Sequence, residues 1–425
     1  MNWFLLIMGI ILKLFVWYIN CLKRICYYFI RIWRIKKIER ENEEERGVEN
    51  SVNLTISQIV GEGVDINPFF VSGGSLDLRN DILTEQIKKA NRSQIPCIIL
   101  HESNKKLENQ ISQLNLSNIT VVNDTSCNYD PILGINEKDL VQLLMEAFPK
   151  ELNMKFDVCS YIAGMVSYLR EKRTSPSISL FCSCPHSQLY DKIDGLIING
   201  KISNQKGQEI KAKLLNGQSE VNKLKYYFNR LKQEGNKIFF NGSKSHTNIV
   251  KAIKNRNIIM IDISLISNTY LLHLILAEMK NALKIWNNIM VVMDEINICS
   301  NEDLQRFVID NSSRCTFGIL SSDVFAMCNG NTSIFATISG MVNNFVISQH
   351  SSENSSNIFS SLLGEYDKKE ISFTYGKDSS GIIQSTYNIA VKREYRVKPE
   401  EINSMNKREV FLKNGRERTI RHGSL

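Results

Sequence analysis

The ten cysteines of this 425-residue chain form no pair of Cys-x-x-Cys motifs. The nearest group, Cys182 and Cys184 with His186 close by, lacks a second ligand pair at the spacing of a structural zinc site. This absence excludes a zinc finger or ribbon. We expect the thiols to be reduced and to pack inside a cytosolic domain.

The sequence also lacks a uniform excess of basic residues. Its formal net charge is +8, but residues 1–40 hold eight basic side chains and one acidic, and residues 392–425 hold ten basic and five acidic. Residues 41–391 therefore carry a net charge of −4. A mildly acidic body excludes a nucleic-acid binder that is basic throughout, and the two ends need separate explanations.

The longest apolar run lies at the N-terminus, where residues 3–22 are apolar or aromatic except Lys13 and Asn20. Twenty helical residues span about 30 Å, the thickness of a bilayer's hydrocarbon core. Basic residues follow the run instead of preceding it, which argues against a signal peptide and for a cytoplasmic body. We predict a single-pass anchor in the cell membrane, with its basic juxtamembrane segment, over residues 1–40. An amphipathic helix lying on the membrane surface is the alternative.

Short apolar runs alternate with helical segments through the rest of the chain, which is typical of a parallel α/β sheet. The predicted strands are 69–72, 97–100, 119–122, 258–263, 289–293, 317–321 and 345–348. Residues 137–236 show helical spacing and no comparable strand, so they predict an all-α insertion domain. The predicted organisation is a linker over 41–50, an α/β domain in two parts over 51–136 and 237–412, the insertion between them, and a basic tail over 413–425.

The predicted strand 289–293 ends in two acidic residues, Asp294 and Glu295. This is the pattern of the Walker B segment of P-loop ATPases, in which the first carboxylate holds Mg²⁺ through water and the second orients or deprotonates the attacking water. Many buried strands end in acids that merely reach solvent. A nucleotide site therefore also requires a glycine-rich phosphate loop upstream.

The place for that loop is the turn after residues 69–72. Aligned with G-x-x-x-x-G-K-[ST], it keeps Gly73, but Leu78, Arg79 and Asn80 replace the second glycine, the phosphate-binding lysine and the magnesium-binding hydroxyl. Arginine's planar fork is not interchangeable with the point charge of lysine. The candidate residues of this degenerate nucleotide site are Gly73, Gly74, Ser75, Arg79 and Asn80. An ordinary strand–turn–helix connection without nucleotide fits the pattern as well.

Further segments occur in an order found in one family of motors. They are 98–102, 129–132, 257–264, 270–285, 314–322, 344–348, 360–365 and 395–411. With the anchor, the glycine turn and the Asp-Glu strand, residues 66–412 resemble the cytoplasmic ATPase domain of type IV secretion coupling proteins. These are the TraG/TraD group of conjugative DNA transfer, within the FtsK/HerA class of RecA-like motors.

The resemblance implies an α/β fold: a RecA-like P-loop NTPase fold with a mainly parallel twisted sheet, an all-α insertion and an N-terminal transmembrane helix. It assigns Asp294 to magnesium and makes Glu295 and Arg314 the catalytic candidates, Glu295 for water activation and Arg314 as a finger toward a neighbouring subunit's nucleotide. ATP and Mg²⁺ are the implied cofactors. Losing the phosphate lysine and the magnesium hydroxyl together removes main electrostatic terms of phosphoryl transfer, so we expect ATP hydrolysis to be slow or absent.

Three functions follow as hypotheses. The first is a membrane-anchored coupling protein, for which the resemblance implies a hexamer, that delivers a relaxase–DNA substrate to a type IV secretion channel. The second is a pseudo-ATPase scaffold or adaptor that assembles with an active ATPase, and the third is a membrane-bound regulatory protein unrelated to transfer. Tentative DNA contacts are Lys407, Arg408, Lys413, Arg416, Arg418 and Arg421. A solvated, disordered end is the alternative for these basic residues.

Overall fold

The structure is a computed structural model that describes residues 2–61, 65–114, 116–184, 186–234, 245–265, 269–379, 381–415 and 417–425. The described helices are α1 (Asn2–Arg46), α2 (Ile56–Val60), α3 (Leu76–Arg92), α4 (Lys105–Gln113), α5 (Glu137–Ala147), α6 (Val158–Glu171), α7 (Ile178–Ser183), α8 (Leu189–Ile198), α9 (Asn204–Asn216), α10 (Val221–Glu234), α11 (Ile249–Lys254), α12 (Thr269–Ile285), α13 (Glu302–Asn311), α14 (Val324–Met327), α15 (Thr332–Ser339), α16 (Glu353–Leu363) and α17 (Pro399–Ser404).

The strands form one large sheet and two small ones. They are β1 (Val48–Asn53), β2 (Phe69–Ser72), β3 (Cys97–His101), β4 (Ile119–Val122), β5 (Asn128–Tyr129), β6 (His246–Thr247), β7 (Ile258–Asp262), β8 (Ile289–Asp294), β9 (Cys315–Ser321), β10 (Asn344–Ser348), β11 (Glu365–Lys377), β12 (Ile383–Tyr395), β13 (Glu409–Asn414) and β14 (Ile420–Ser424). All seven strands predicted from apolar runs belong to the large sheet.

The large sheet has ten strands in the order β1-β14-β13-β10-β2-β9-β8-β3-β7-β4. The seven strands from β10 to β4 are mutually parallel. β13 joins β10 antiparallel and pairs antiparallel with β14, whose other neighbour β1 is parallel to it. The predicted α/β fold with a mainly parallel sheet is confirmed.

The central strands are apolar because both faces of the sheet are covered. Every residue of β2, β3, β7 and β8 is buried. One face packs on α3 and α4 through side chains such as Leu83 and Leu107. The other face shares a larger core with the insertion and α12. Burial on two sides explains why these strands appear in the sequence as continuous apolar runs.

Every described element between Glu137 and Glu234 is helical, as predicted for the insertion. α5 packs against α12 and so joins the insertion to the sheet domain. Within the insertion, α6 and α9 approach closely at Gly164, where an added Cβ would lie 2.9 Å from Cγ of Leu214.

The N-terminal helix α1 continues for 45 residues, from Asn2 to Arg46. Its first half is apolar and fully exposed, and by length and composition it could cross a membrane. Its second half lies along the two-stranded sheet β11–β12, a long hairpin that the sequence analysis did not predict. At the base, the Arg46 guanidinium binds both carboxylate oxygens of Glu401 at 2.7 Å.

Two predicted boundaries are wrong. The segment 41–50 is not a linker, because α1 runs through it to Arg46 and β1 begins at Val48. The segment 413–425 is not a tail, because β13 extends to Asn414 and β14 lies between β13 and β1 in the large sheet. Both misplaced segments are polar. β1 lies at the edge of the sheet and β14 is only partly buried, so neither shows the apolar run that marks a buried strand.

Candidate functional site

The candidate site lies at the carboxyl edge of the parallel sheet, where ligands bind in open α/β folds. The glycine turn follows β2, and the Asp-Glu pair ends β8. Only β9 separates these two strands in the sheet. The structure therefore brings the two sequence motifs together, as the resemblance requires.

Gly73 and Gly74 form the turn, and both have positive φ, +77° and +67°. This conformation favours glycine because it has no Cβ. The Gly73 amide donates to the Ser321 carbonyl at 3.0 Å, and the Gly74 amide donates to the Gln349 carbonyl at 2.8 Å. The two amides that would cradle a phosphate in a nucleotide-binding turn are therefore bonded to neighbouring strand ends.

Helix α3 begins earlier than a phosphate loop allows. Ser75 is its N-cap, with the side-chain oxygen accepting from the Leu78 amide at 3.2 Å, and Leu76 is its first residue. The loop between strand and helix is thus Gly73, Gly74 and Ser75 alone. Leu78 and Arg79 lie inside the helix and not in a loop that could wrap around a phosphate.

The Arg79 side chain folds back over the glycine turn and is only 4% exposed. One guanidinium nitrogen, Nη1, donates to the carbonyls of Gly73 at 2.8 Å and Gly74 at 3.0 Å. The other, Nη2, lies 2.7 Å from Oε1 of Glu295. The guanidinium therefore fills the position where an anion would be bound, and it neutralises the carboxylate proposed to activate water.

Asp294 is completely buried at the tip of β8. Its Oδ2 accepts from Nδ2 of Asn104 at 2.7 Å, and Nδ2 of Asn104 also donates to Oδ1 of Asn80 at 2.9 Å. Asn80 thus reaches Asp294 through a second amide. A hydrogen-bond donor therefore occupies one of the two oxygens of the carboxylate that the resemblance assigns to magnesium.

Glu295 adopts a left-handed backbone conformation with φ of +57°. Its Oε2 accepts from both the amide and the hydroxyl of Ser322, at 3.1 and 2.9 Å. With Arg79 on its other oxygen, the carboxylate is held from two sides. A water-activating glutamate needs a free oxygen directed at the water, and here both oxygens are engaged.

The electrostatics of this edge disfavour a polyphosphate. Burial raises the pKa of Asp294 to about 6, with Asn104 opposing the shift. Burial also raises the pKa of Glu102, and the nearby carboxylates of Asp262 and Glu295 add to the effect. Arg79 is the cation that faces Asp294 and Glu295, and its charge is already paired.

A second group of buried polar side chains, His101, Glu108 and Asp262, offers three potential metal ligands within 4.8 Å of one another. Nδ1 of His101 accepts from the Asn104 amide at 3.2 Å, which places the ring proton on Nε2. That nitrogen lies 3.4 Å from Oε1 of Glu108. A metal on Nε2 would have to displace this proton, so the group fits a histidine–carboxylate contact better than a metal centre. Burial lowers the pKa of His101 to about 4.

The residues of the candidate site do not fit MgATP. The turn amides are bonded internally, Arg79 fills the turn, and an amide donor stands beside Asp294. Among the described residues, one atom in favour of a cation is Oδ1 of Asp294, which is buried and without a hydrogen-bond partner. Oε1 of Glu295 also lacks a hydrogen-bond partner, but it is paired with Arg79. Magnesium bound with ATP takes most of its ligands from water and phosphate oxygens, so the misfit rests on the bonded turn amides and on the position of Arg79.

The structure does not bring Arg314 to this site. Arg314 is exposed and immediately precedes β9, whereas Asp294 lies at the other end of the paired strand β8. Six strand positions separate the level of Arg314 from that of Leu320, the partner of Asp294, a distance of about 20 Å. Arg314 could therefore act only on a neighbouring subunit.

The proposed DNA-contacting residues are scattered along the edge of the large sheet. Lys407, Arg408 and Arg418 are exposed, and Arg421 lies 3.6 Å from Glu417. The Lys413 ammonium is half-buried and donates to the Leu362 carbonyl, and burial lowers its pKa. Arg416 lies outside the described residues.

One residue of the site, Asn104, was missed by the sequence analysis, and Ser322, the last residue of the segment 314–322, was given no contact with Glu295. Asn104 bonds Asp294 and Asn80 while its Oδ1 caps α4 through the Leu107 amide. Ser322 holds Glu295. Asn104 follows β3 by three residues and precedes a helical pattern, so its capping role could have been predicted from the sequence. Its contact with Asp294 could not, because that contact depends on the neighbouring strand β8.

No protein-family model and no curated protein sequence matches the chain. Among solved structures, it is similar to the bacterial conjugative coupling protein TrwB in an unbound form, with 12% identity over 84% of each chain and a TM-score of 0.49. It is similar to TrwB in complex with ADP and Mg²⁺, with 12% identity over 92% of each chain and a TM-score of 0.48.

A third similar structure is VirB4 of Thermoanaerobacter pseudethanolicus, with 9% identity over 87% of this chain and 91% of that chain, and a TM-score of 0.44. The coupling proteins among these structures are of the class that the sequence resembles. At such low identity the similarity concerns the arrangement of the fold. It does not transfer a ligand or an activity to this chain.

Proposed function

We propose that this chain is a membrane-anchored, coupling-protein-like subunit of a conjugative or type IV secretion system, whose RecA-like domain hydrolyses ATP weakly or not at all. The observation that carries the inactive site is the buried Arg79 guanidinium, bonded to the carbonyls of Gly73 and Gly74 and paired with Glu295. Of the two forms this protein could take, a slow motor or a pseudo-ATPase scaffold, the filled turn favours the scaffold.

The membrane part of the proposal rests on α1. Its apolar half has the length of a bilayer crossing, and basic residues follow it, which favours a cytoplasmic position for the sheet domain. A scaffold of this kind would join a ring, either a hexamer of its own copies or an assembly with an active ATPase. It would contact the secretion channel and the relaxase–DNA substrate. The sequence resemblance supports these partners.

Nucleotide binding by the full chain in detergent or nanodiscs tests the inactive site. With MgATP at about 1 mM, the upper end of usual KM values, we expect no rise in melting temperature and no phosphate release above buffer. Glu295→Gln should leave that background unchanged. The matched control is Glu302→Gln, which removes an exposed acid from α13.

Turnover present in the wild type and in Glu302→Gln but lost in Glu295→Gln would show a working motor and refute the scaffold. Tight MgATP binding without turnover would contradict the proposal that Arg79 blocks the turn, because Arg79 would have to release the carbonyls of Gly73 and Gly74 to admit a phosphate.

DNA contact is a separate part of the proposal and rests on the three exposed basic residues Lys407, Arg408 and Arg418. Replacing all three by Gln should weaken binding of a single-stranded oligonucleotide. The slope of log affinity against log salt should fall by about 2, since each phosphate contact on a single strand contributes roughly 0.7. Fluorescence anisotropy at several salt concentrations measures this. An unchanged slope would mean that these side chains do not contact the DNA and are simply solvated.

A further inference from the structure

A basic and aromatic cavity of about 470 Å³ lies where α1 meets the tip of the β11–β12 hairpin. The helix contributes Arg24, Tyr27, Tyr28 and Arg31, and the hairpin contributes Tyr375 and Lys377. The two segments are about 350 residues apart in sequence. The cavity therefore exists only because the chain folds the hairpin against the N-terminal helix.

Arg24 and Tyr28 are four residues apart, as are Tyr27 and Arg31, so the helix residues of the cavity form one stripe on α1. Arg24 lies two residues, about 3 Å, beyond the end of the apolar run at Leu22, and Tyr28 lies about 9 Å beyond it. The headgroup layer of a bilayer is roughly 5 to 8 Å thick on each side of the hydrocarbon core. The upper part of the cavity is therefore level with lipid headgroups.

Hydrogen bonds hold the hairpin tip at this level. The side-chain amide of Asn20 donates to the Gly381 carbonyl at 3.1 Å and accepts from the Ile383 amide at 2.9 Å. The Tyr27 hydroxyl donates to the Ile383 carbonyl at 3.4 Å. Because Asn20 belongs to the apolar run, these contacts fix the tip next to the membrane surface.

Among the described residues that line the cavity, the charged side chains are all cations. Arg24, Arg31 and Lys377 point to the same space, and residues 20–31 of the helix contain no acidic residue. On the hairpin, Asp378 is the acid next to the cavity, and its carboxylate accepts from the Ile382 amide and the Gln384 side chain within the turn. Such a site suits an anion.

We propose that this cavity binds the phosphate of an anionic phospholipid headgroup, with the tyrosine rings lining the headgroup space beside the three cations. The proposal rests on the membrane anchoring proposed above. It gives the hairpin a role, because the hairpin places Lys377 and Tyr375 next to the bilayer. The shared chemistry is a phosphate monoester or diester, and the position beside the apolar run selects a lipid as its source.

The test uses the full chain in nanodiscs of phosphatidylcholine with and without phosphatidylglycerol, with bound lipids counted by native mass spectrometry. We expect phosphatidylglycerol to be retained preferentially. The variant Arg24→Gln/Arg31→Gln/Lys377→Gln should lose this preference, by about fivefold per charge and on the order of a hundredfold in all. The charge-preserving variant Arg24→Lys/Arg31→Lys should keep most of it.

The matched control is Lys36→Gln/Arg40→Gln/Lys392→Gln, which removes two exposed charges from the same helix and one from the same hairpin, outside the cavity. Equal loss in this control would overturn the site, because the effect would then follow net charge alone. Full competition by inorganic phosphate in detergent micelles would overturn the lipid as its source.

Resistance of the wild type to carbonate extraction from membranes separates this inference from the proposed function. A chain that is extracted contradicts the anchor itself. A chain that stays in the membrane but shows no lipid preference contradicts only the cavity.

Discussion

Arg79 shows how one residue changes the meaning of a motif. A lysine at this place ends in a compact charge that can leave the turn to meet a phosphate. The guanidinium instead has five donors in a planar fork, and the structure uses that fork to bind two carbonyls of the turn and the Glu295 carboxylate at once. The Arg79 side chain thereby blocks the turn. The two acidic residues at the end of β8 remain as members of a hydrogen-bonded network.

Gly73 is the residue on which this turn most depends. Gly73→Ala should lower the free energy of unfolding by roughly 2 to 4 kcal/mol, because φ is +77° and the new Cβ would lie 2.5 Å from the Gln349 carbonyl oxygen. Denaturant titration of the full chain in detergent measures the loss.

Gly134→Ala separates the two causes of that loss. Gly134 has φ of +75° with no neighbour within 4 Å of the added Cβ, so the change should cost only about 1 kcal/mol of backbone strain. Equal losses at both positions would mean that the turn is not packed against Gln349, the residue that follows β10.

At the level of elements, the hairpin and α1 stabilise each other. A lone two-stranded sheet is marginal in water, and the second half of α1 would otherwise have no core to pack on. Two asparagines form hydrogen bonds to backbone groups of the hairpin that would otherwise be unpaired. Asn42 binds both the amide and the carbonyl of Lys369, as Asn20 does with the hairpin tip, and the two lie 22 residues, about six turns, apart on one face of the helix.

Asn42→Ala should therefore loosen the hairpin from the helix. The loss of two hydrogen bonds, each worth about 1 kcal/mol, should speed amide exchange at Lys369 by roughly tenfold or more without unfolding the large sheet. Hydrogen–deuterium exchange of the full chain measures it.

Asn388→Ala, an exposed position on β12, is the control and should leave the exchange at Lys369 unchanged. If Asn42→Ala exchanged like this control, the helix would not be holding the strand edge.

At the level of the whole molecule, two buried carboxyl groups belong to the sheet domain, and one of them, Asp130, contacts the insertion. Glu278 on α12 accepts from the Tyr129 hydroxyl and from the Val250 amide at 3.0 Å, and Asp130 accepts from the Ile178 amide at the start of α7. Burial raises the pKa of Glu278 to about 8 and that of Asp130 to about 7. Both groups are therefore protonated in the folded protein at neutral pH or just below it.

Stability should consequently fall as pH rises. A folded pKa above the unfolded value means that the folded state binds more protons, so the contribution of Glu278 is complete below about pH 4.5 and is lost as the pH passes through 8. Glu278→Gln should flatten this part of the profile of melting temperature against pH.

The exposed Glu151→Gln is the control and should keep the wild-type slope. A profile in Glu278→Gln as steep as in the wild type would show that the carboxyl does not titrate within this range.

The sequence alone was enough to predict the buried strands, the helical insertion and the apolar N-terminal helix, because each depends on a local pattern of apolar side chains. It also showed that the phosphate loop had lost its lysine and hydroxyl. Polar strands such as β1, β14 and those of the β11–β12 hairpin carry no such pattern. They form because a neighbouring strand or α1 satisfies their backbone groups.

Only the tertiary structure decided what the altered loop does instead. The bonds from Arg79 to the turn and to Glu295, and from Asn104 to Asp294, join residues that are close only when β2, β3 and β8 lie in one sheet. The cavity between Arg24 and Lys377 depends in the same way on a hairpin folded back along the first helix. Contacts between segments distant in sequence are set by packing, and no local pattern of residues records them.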